Sequence, residues 1–239
     1  MKTIILILMC SVSLSLAAQE KKDWKNKMHK HAPLMTRGIG VTFQDFDGLN
    51  SRIAGFPEYK QLRGHMWTLS AGSMHVIKNF VSQLSVTGGS SLTGDPDERS
   101  SAIRMLSGGV DFGYDVIPSD MVMVYPMVGI GAECYNAIFY KEVGAVDFDD
   151  VAASPGVQNS IRSVKFKNSF VTYRFGLGIA LKSPKHPGTI GIQGGYAGAF
   201  KDKSWKSTEN QSLNGAPSDD INRWSVSLVF TGGGMMMKK

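Results

Sequence analysis

The sequence predicts an all-β fold, an eight-stranded antiparallel transmembrane up-and-down β-barrel. Three observations predict it. Eight segments alternate apolar and small or polar residues with the period of two that marks a strand. Short and long connections between them alternate along the chain, as in a membrane barrel with tight turns on one side and loops on the other. The polar faces are built of Gly, Ser, Thr, Gln and Ala rather than the Lys and Glu that coat a soluble barrel, which suits a narrow interior filled by side chains.

The 239 residues suffice for one closed barrel. Residues 1–18 read as a signal peptide. Lys2 precedes an apolar run from Ile4 to Leu16 that is too short to span a bilayer, and Ala17 and Ala18 offer a cleavage site before Gln19. Cys10 belongs to this leader, and Met9 before it is too large for lipidation. Cys134 is then left alone and no intrachain disulfide forms.

Residues 19–35 read as a basic, flexible arm. Over residues 19–37, Lys21, Lys22, Lys25, Lys27, Lys30 and Arg37 face only Glu20 and Asp23, so these residues carry most of the formal charge of +6. The body is left about neutral. A nucleic-acid partner needs a basic face on a folded module, and the sequence is not read as offering one.

The barrel is assigned to residues 36–230 and the C-terminal tail to 231–239. Its strands are read, in order, over Gly38–Phe46, His65–Val76, Phe80–Gly88, Ala102–Asp115, Met121–Asn136, Phe166–Lys182, Thr189–Phe200 and Ile221–Phe230. The clearest has Val171, Tyr173, Phe175, Leu177, Ile179 and Leu181 on one face, with Thr172, Arg174, Gly176, Gly178 and Ala180 on the other. No helical spacing is found after the leader. Ile77–Asn79, Val116–Ser119 and Ser183–Gly188 read as short turns. Asp47–Arg63, Leu92–Ser101, Lys141–Val164 and Asp202–Asp219 read as longer polar loops. This arrangement places both chain ends on the side of the turns.

With the apolar faces outward, aromatic residues sort to two rims. Phe80, Tyr114 and Phe230 fall at the turn side. Trp67, Tyr173, Phe200 and Trp224 fall at the loop side. The inward faces carry a balanced charge set, Asp111 and Glu133 against Arg174 and Arg223. Aligning Tyr140 with Lys167 sets Glu133 opposite Arg174 and leaves Asp111 with Arg223. The expected role is a plug that fixes the barrel and blocks flow.

Other candidates are weaker. Gly38 and Gly40, Gly129 and Gly131, and Gly176 and Gly178 share the spacing of nucleotide loops. None opens a helix, and close packing in a tight barrel explains them better. Asp147, Asp149 and Asp150 read as a solvated acidic loop, and His29 with His31 is too slight to assign a metal. His65 and His75 lie near opposite ends of one strand without an evident serine and acid partner.

The stretches DFGYDVIPSDMVMVYPMVGIGAE (111–133), FVTYRFGLGIAL (170–181), TIGIQGGYAGAF (189–200) and WSVSLVF (224–230) resemble the small outer-membrane β-barrel (porin-like) family of Gram-negative bacteria. The resemblance implies a barrel in the cell outer membrane with both termini periplasmic. It implies contact with outer-membrane lipids and, during biogenesis, with the barrel-assembly machinery. Family members often end at an aromatic residue, whereas TGGGMMMKK follows Phe230 here. The expected function is a structural anchor or interaction module that meets an external ligand through its loops, without enzyme activity or cofactor. A narrow transporter of small or hydrophobic solutes and a lipid-modifying enzyme are the alternatives.

Overall fold

The computed structural model describes residues 33–94, 100–117, 119–141, 147–157, 163–183 and 188–233. The expected signal peptide, nearly all of the basic arm and the last residues of the tail lie outside them. The elements are β1 (Leu34–Gln44), α1 (Asp47–Ile53), β2 (His65–Ile77), β3 (Phe80–Thr93), β4 (Ser100–Tyr114), β5 (Val122–Tyr140), α2 (Phe148–Ala153), β6 (Val164–Lys182), β7 (Gly188–Ala199), β8 (Lys203–Ser204), β9 (Lys206–Ser207), β10 (Ser218–Asp219) and β11 (Asn222–Gly233).

Eight strands, β1 to β7 and β11, form the wall, and each pairs antiparallel with its neighbours along the chain. The wall closes where β1 pairs with β11, from Leu34 opposite Gly233 to Gln44 opposite Arg223. Closure leaves no free wall edge. This ladder begins before residue 36 and continues past Phe230 to Gly233, so Thr231, Gly232 and Gly233 belong to the wall rather than to a tail. Both ends of the wall lie at the rim of the short turns. The tightest turn is Lys78–Asn79, where Lys78 takes a left-handed φ of 56° to reverse the chain in two residues.

The apolar faces point outward. Leu69, Leu84, Val86, Leu106, Val128, Ile130, Leu177, Ile179, Ile192 and Val226 are all exposed, Leu69 to 67% and Ile130 to 63%. An apolar surface wrapped around the whole wall needs a non-aqueous partner. No described helix is long and apolar enough to cross a membrane, and the residues of this surface lie on the strands.

Two departures from the sequence reading concern the loops. The segment after β1 forms α1, and the segment after β5 contains α2. Their seven and six residues are too few for a helical period to show in the sequence. Asp147 caps α2 by accepting from the Asp149 amide at 3.0 Å, which gives that acidic cluster a structural role. Strands β5 and β6 also run to Tyr140 and from Val164, further than alternation indicates, because their loop-end residues pack inward against a cap.

Candidate functional site: the lumen and its loop-end cap

Two ion pairs cross the middle of the lumen. Arg223 meets Glu133 through two hydrogen bonds, Nη2 to Oε1 at 2.6 Å and Nε to Oε2 at 3.2 Å. Glu133 is 0% and Arg223 5% exposed, so each charge depends on the other. The Tyr135 hydroxyl lies 2.5 Å from Glu133 Oε2 and 2.8 Å from Gln44 Oε1. One hydroxyl proton serves one acceptor. Rotating the Gln44 amide lets Nε2, otherwise without a partner, donate to Tyr135 while Tyr135 donates to Glu133. Arg174 pairs with Asp111 at 3.3 Å and reaches Ser85 Oγ at 3.4 Å.

The partners are therefore exchanged relative to the sequence expectation. Asn136, not Tyr140, stands opposite Lys167, which sets Gly129 opposite Arg174 and Phe170 opposite Glu133. An even slip leaves every side chain on its own face, so alternation cannot distinguish these registers. Glycine decides between them. A Cβ at Gly109 would strike the Arg174 guanidinium, and one at Gly131 would sit 3.3 Å from Arg174 Cδ. These bare positions form the trough in which Arg174 crosses to Asp111.

Polar contacts continue toward the turn rim. Gln193 Nε2 donates to Gln83 Oε1 at 3.0 Å and to the Tyr125 hydroxyl at 2.7 Å. Lys182 Nζ lies 3.0 Å from Asp115 Oδ2 and donates to the Ser119 carbonyl at 2.8 Å. The sequence reading missed this rim pair, because it closes between strand ends that are adjacent only after the turns form. A cavity of about 90 Å³ remains beside Arg174, lined in part by Thr42, Thr68, Ser85 and Gln83. It has room for a few waters.

Apolar layers close both ends of this polar zone. Toward the turns, Met74, Val81, Met123, Tyr125 and Ala180 pack together. Toward the loops, Met66, Ile103, Met105, Tyr135, Phe139 and Phe170 of the wall meet Phe46, Leu49, Ile53, Leu62, Trp205 and Ile221. Edge-on ring contacts join Phe46 to Tyr135 at 5.9 Å and Tyr135 to Phe170 at 6.1 Å. The expected all-polar lumen is thus confined to its middle. The available signal was a break in alternation, as in Ala137–Ile138–Phe139, where apolar residues occupy both faces.

One carboxylate joins two segments of the cap. Phe46 stands at the N-cap of α1 and provides no capping side chain. Asp219, from β10, takes over. It accepts from the amides of Gly48 at 2.7 Å and Leu49 at 3.2 Å, and from Trp205 Nε1 at 2.6 Å. Gly48 permits this approach, since a Cβ there would lie 2.7 Å from Asp219 Oδ1. Asp219→Ala is expected to cost about 2–3 kcal/mol, because it strands three donors, two of them buried. The loss should appear first as changed emission from Trp205, which is 1% exposed, while the barrel itself stays closed. Unaltered emission and proteolysis of the loops would show that the cap does not depend on Asp219.

Outside the wall, aromatic rings gather at both rims. Phe80 stacks on Phe112 at 6.0 Å on the turn side, near exposed Tyr114, and Phe230 is exposed on β11. On the loop side Tyr173 contacts Phe175, Tyr196 and Phe200, and Tyr196 contacts Trp224 at 5.0 Å. Trp67 is exposed on β2. Between the rims lies the apolar surface. The chain has the architecture of a small closed β-barrel with an apolar outer belt.

No protein-family model matches the sequence of this barrel, and no curated protein matches it. Solved structures similar to it include the following three. One is Ail, the attachment invasion locus protein of Yersinia pestis, in complex with the heparin analogue sucrose octasulfate, at 12% identity and a TM-score of 0.45 over 83% of this chain and 97% of that one. Another is Neisserial surface protein A, at 9% and 0.49 over 84% and 96%. The third is a major outer membrane protein from Thermus thermophilus, at 10% and 0.48 over 84% and 100%.

Proposed function

We propose that this barrel is a non-conducting, non-catalytic anchor in the outer membrane, and that its capped loop end is the surface that meets an external ligand. The observation that carries the reading is the sealed lumen. Two apolar layers enclose a zone of paired charges, so a solute would have to breach packed side chains at each end and separate a buried ion pair between them. The turn rim, with both ends of the wall, faces the periplasm in this reading, and the long connections face outward.

The unboiled protein is expected to migrate differently from the boiled protein on a detergent gel, since a closed barrel resists detergent at room temperature. In a planar bilayer it should give no steady conductance. Equal mobility together with recovery in the soluble periplasmic fraction would remove the membrane assignment. A folded Glu133→Gln variant that conducts steadily would turn the plug into a gate and favour the transporter.

A further inference from the structure

A basic groove lies on the outer flank of the wall at its loop end, between β5 and β6 and the β8–β9 segment that carries Trp205 of the cap. It has a volume of about 690 Å³ and is lined by Lys167, Lys201, Lys203 and Lys206, with Cys134 and Asn136 on the adjoining strand. Asp202 is the one acidic residue in the lining. Among the described residues, no ion pair involves any of the four lysines.

The groove is a built feature, not a set of loose side chains. Lys203 Nζ donates to the Ser169 carbonyl at 2.8 Å, Asn168 Nδ2 donates to the Lys203 carbonyl at 2.7 Å, and Lys167 Nζ donates to the Thr208 carbonyl. These bonds fasten the β8–β9 segment against β6. Lys201 and Lys206 carry no such tie and are exposed.

Its height on the wall identifies the occupant. The outward face of β6 reads Leu181, Ile179, Leu177, Phe175, Tyr173, Val171, Ser169, Lys167 from the turn rim upward. That sequence passes from apolar belt to aromatic rim to polar to basic. Lys201 directly follows Phe200, whose ring packs on Tyr173 at 5.4 Å. The groove therefore opens sideways just above the loop-side aromatic rim, where headgroups meet a membrane protein.

We propose that this groove binds the phosphate of an anionic lipid headgroup in the leaflet surrounding the loop end. The inference rests on the membrane reading given above. Lysine supplies the required chemistry as a compact charge with rotatable donors. The groove keeps four such charges together without a carboxylate paired to them, so a bound phosphate relieves their mutual repulsion as well as gaining their attraction.

The test titrates short-chain phosphatidic acid into the folded protein in maltoside micelles, which carry no phosphate. Phosphatidic acid should bind at least tenfold more tightly than phosphatidylcholine of equal chain length, and added salt should erode the difference. Lys201→Gln and Lys206→Gln should each weaken binding about fivefold, the effect of one lysine near an anionic surface, and Lys→Arg at either position should preserve it. Unchanged affinity in the double Gln variant overturns the proposal. Displacement of the lipid by inorganic phosphate at equal concentration overturns the lipid assignment and leaves a free-anion site. Gel mobility of the same samples separates the two claims. A heat-modifiable barrel that does not bind refutes the groove alone, whereas a chain that forms no closed barrel refutes the membrane anchor.

Discussion

Glu133→Ala is expected to destabilise the barrel by about 3–5 kcal/mol, the largest single effect in the molecule, because it leaves a buried guanidinium without its counter-charge. Arg223 is 5% exposed and borders only the small lumen cavity, so little water is at hand to restore its solvation. Tyr135 also loses its carboxylate acceptor. Glu133→Gln should cost less, since the amide oxygen still accepts from Arg223. Equilibrium urea unfolding in lipid vesicles measures both. A double-mutant cycle between Glu133 and Arg223 should show strong coupling, and one between Glu133 and Arg174 little, because Arg174 is engaged with Asp111. Exchanging the charges of Glu133 and Arg223 should recover part of the loss. Coupling that followed Arg174 instead would restore the register expected from sequence and refute the one observed.

Leu177→Arg is expected to cost about 2–4 kcal/mol, the penalty for an arginine facing lipid near the bilayer midplane. Leu177 points outward on β6, 47% exposed, between the two aromatic rims. The same change at Val171, beyond Tyr173 toward the loops, should cost about 0–1 kcal/mol, since the side chain reaches the interface. Equal penalties at the two positions would show that the surface does not face a membrane. Gly178 is not the mild comparison that a lumen-facing glycine suggests. A Cβ there would lie 2.6 Å from Tyr125 Cε1, within a ring fixed by Gln193, so Gly178→Ser forces the tyrosine from its place.

The wall was legible because a period of two records burial directly. Each strand has one face turned outward and one against a narrow interior, and composition tells which is which. The face of Arg174 was readable from its neighbours Phe175 and Tyr173, but its partner was not. A partner depends on register, and registers four residues apart satisfy the same pattern. The cap was illegible for another reason. Leu49, Ile53 and Leu62 stand scattered in a loop without strand alternation, and Trp205 stands alone among lysines and serines. Nothing near them in sequence shows what they pack against. Asp219 likewise reads as a loop carboxylate until α1 brings its amides across 171 residues of chain.

Seven of the eight seams in the wall join strands that follow one another, and the eighth joins Leu34 to Gly233. Seven can zip as successive hairpins while the chain is still being delivered. The last must wait for the final strand, and its closure gathers the longest loop in the molecule. Until then the sheet is an open ribbon with two unsatisfied borders and an apolar side turned to water. The chain is thus most prone to aggregation just before it is complete, and a stop codon anywhere ahead of Asn222 would hold it in that condition permanently.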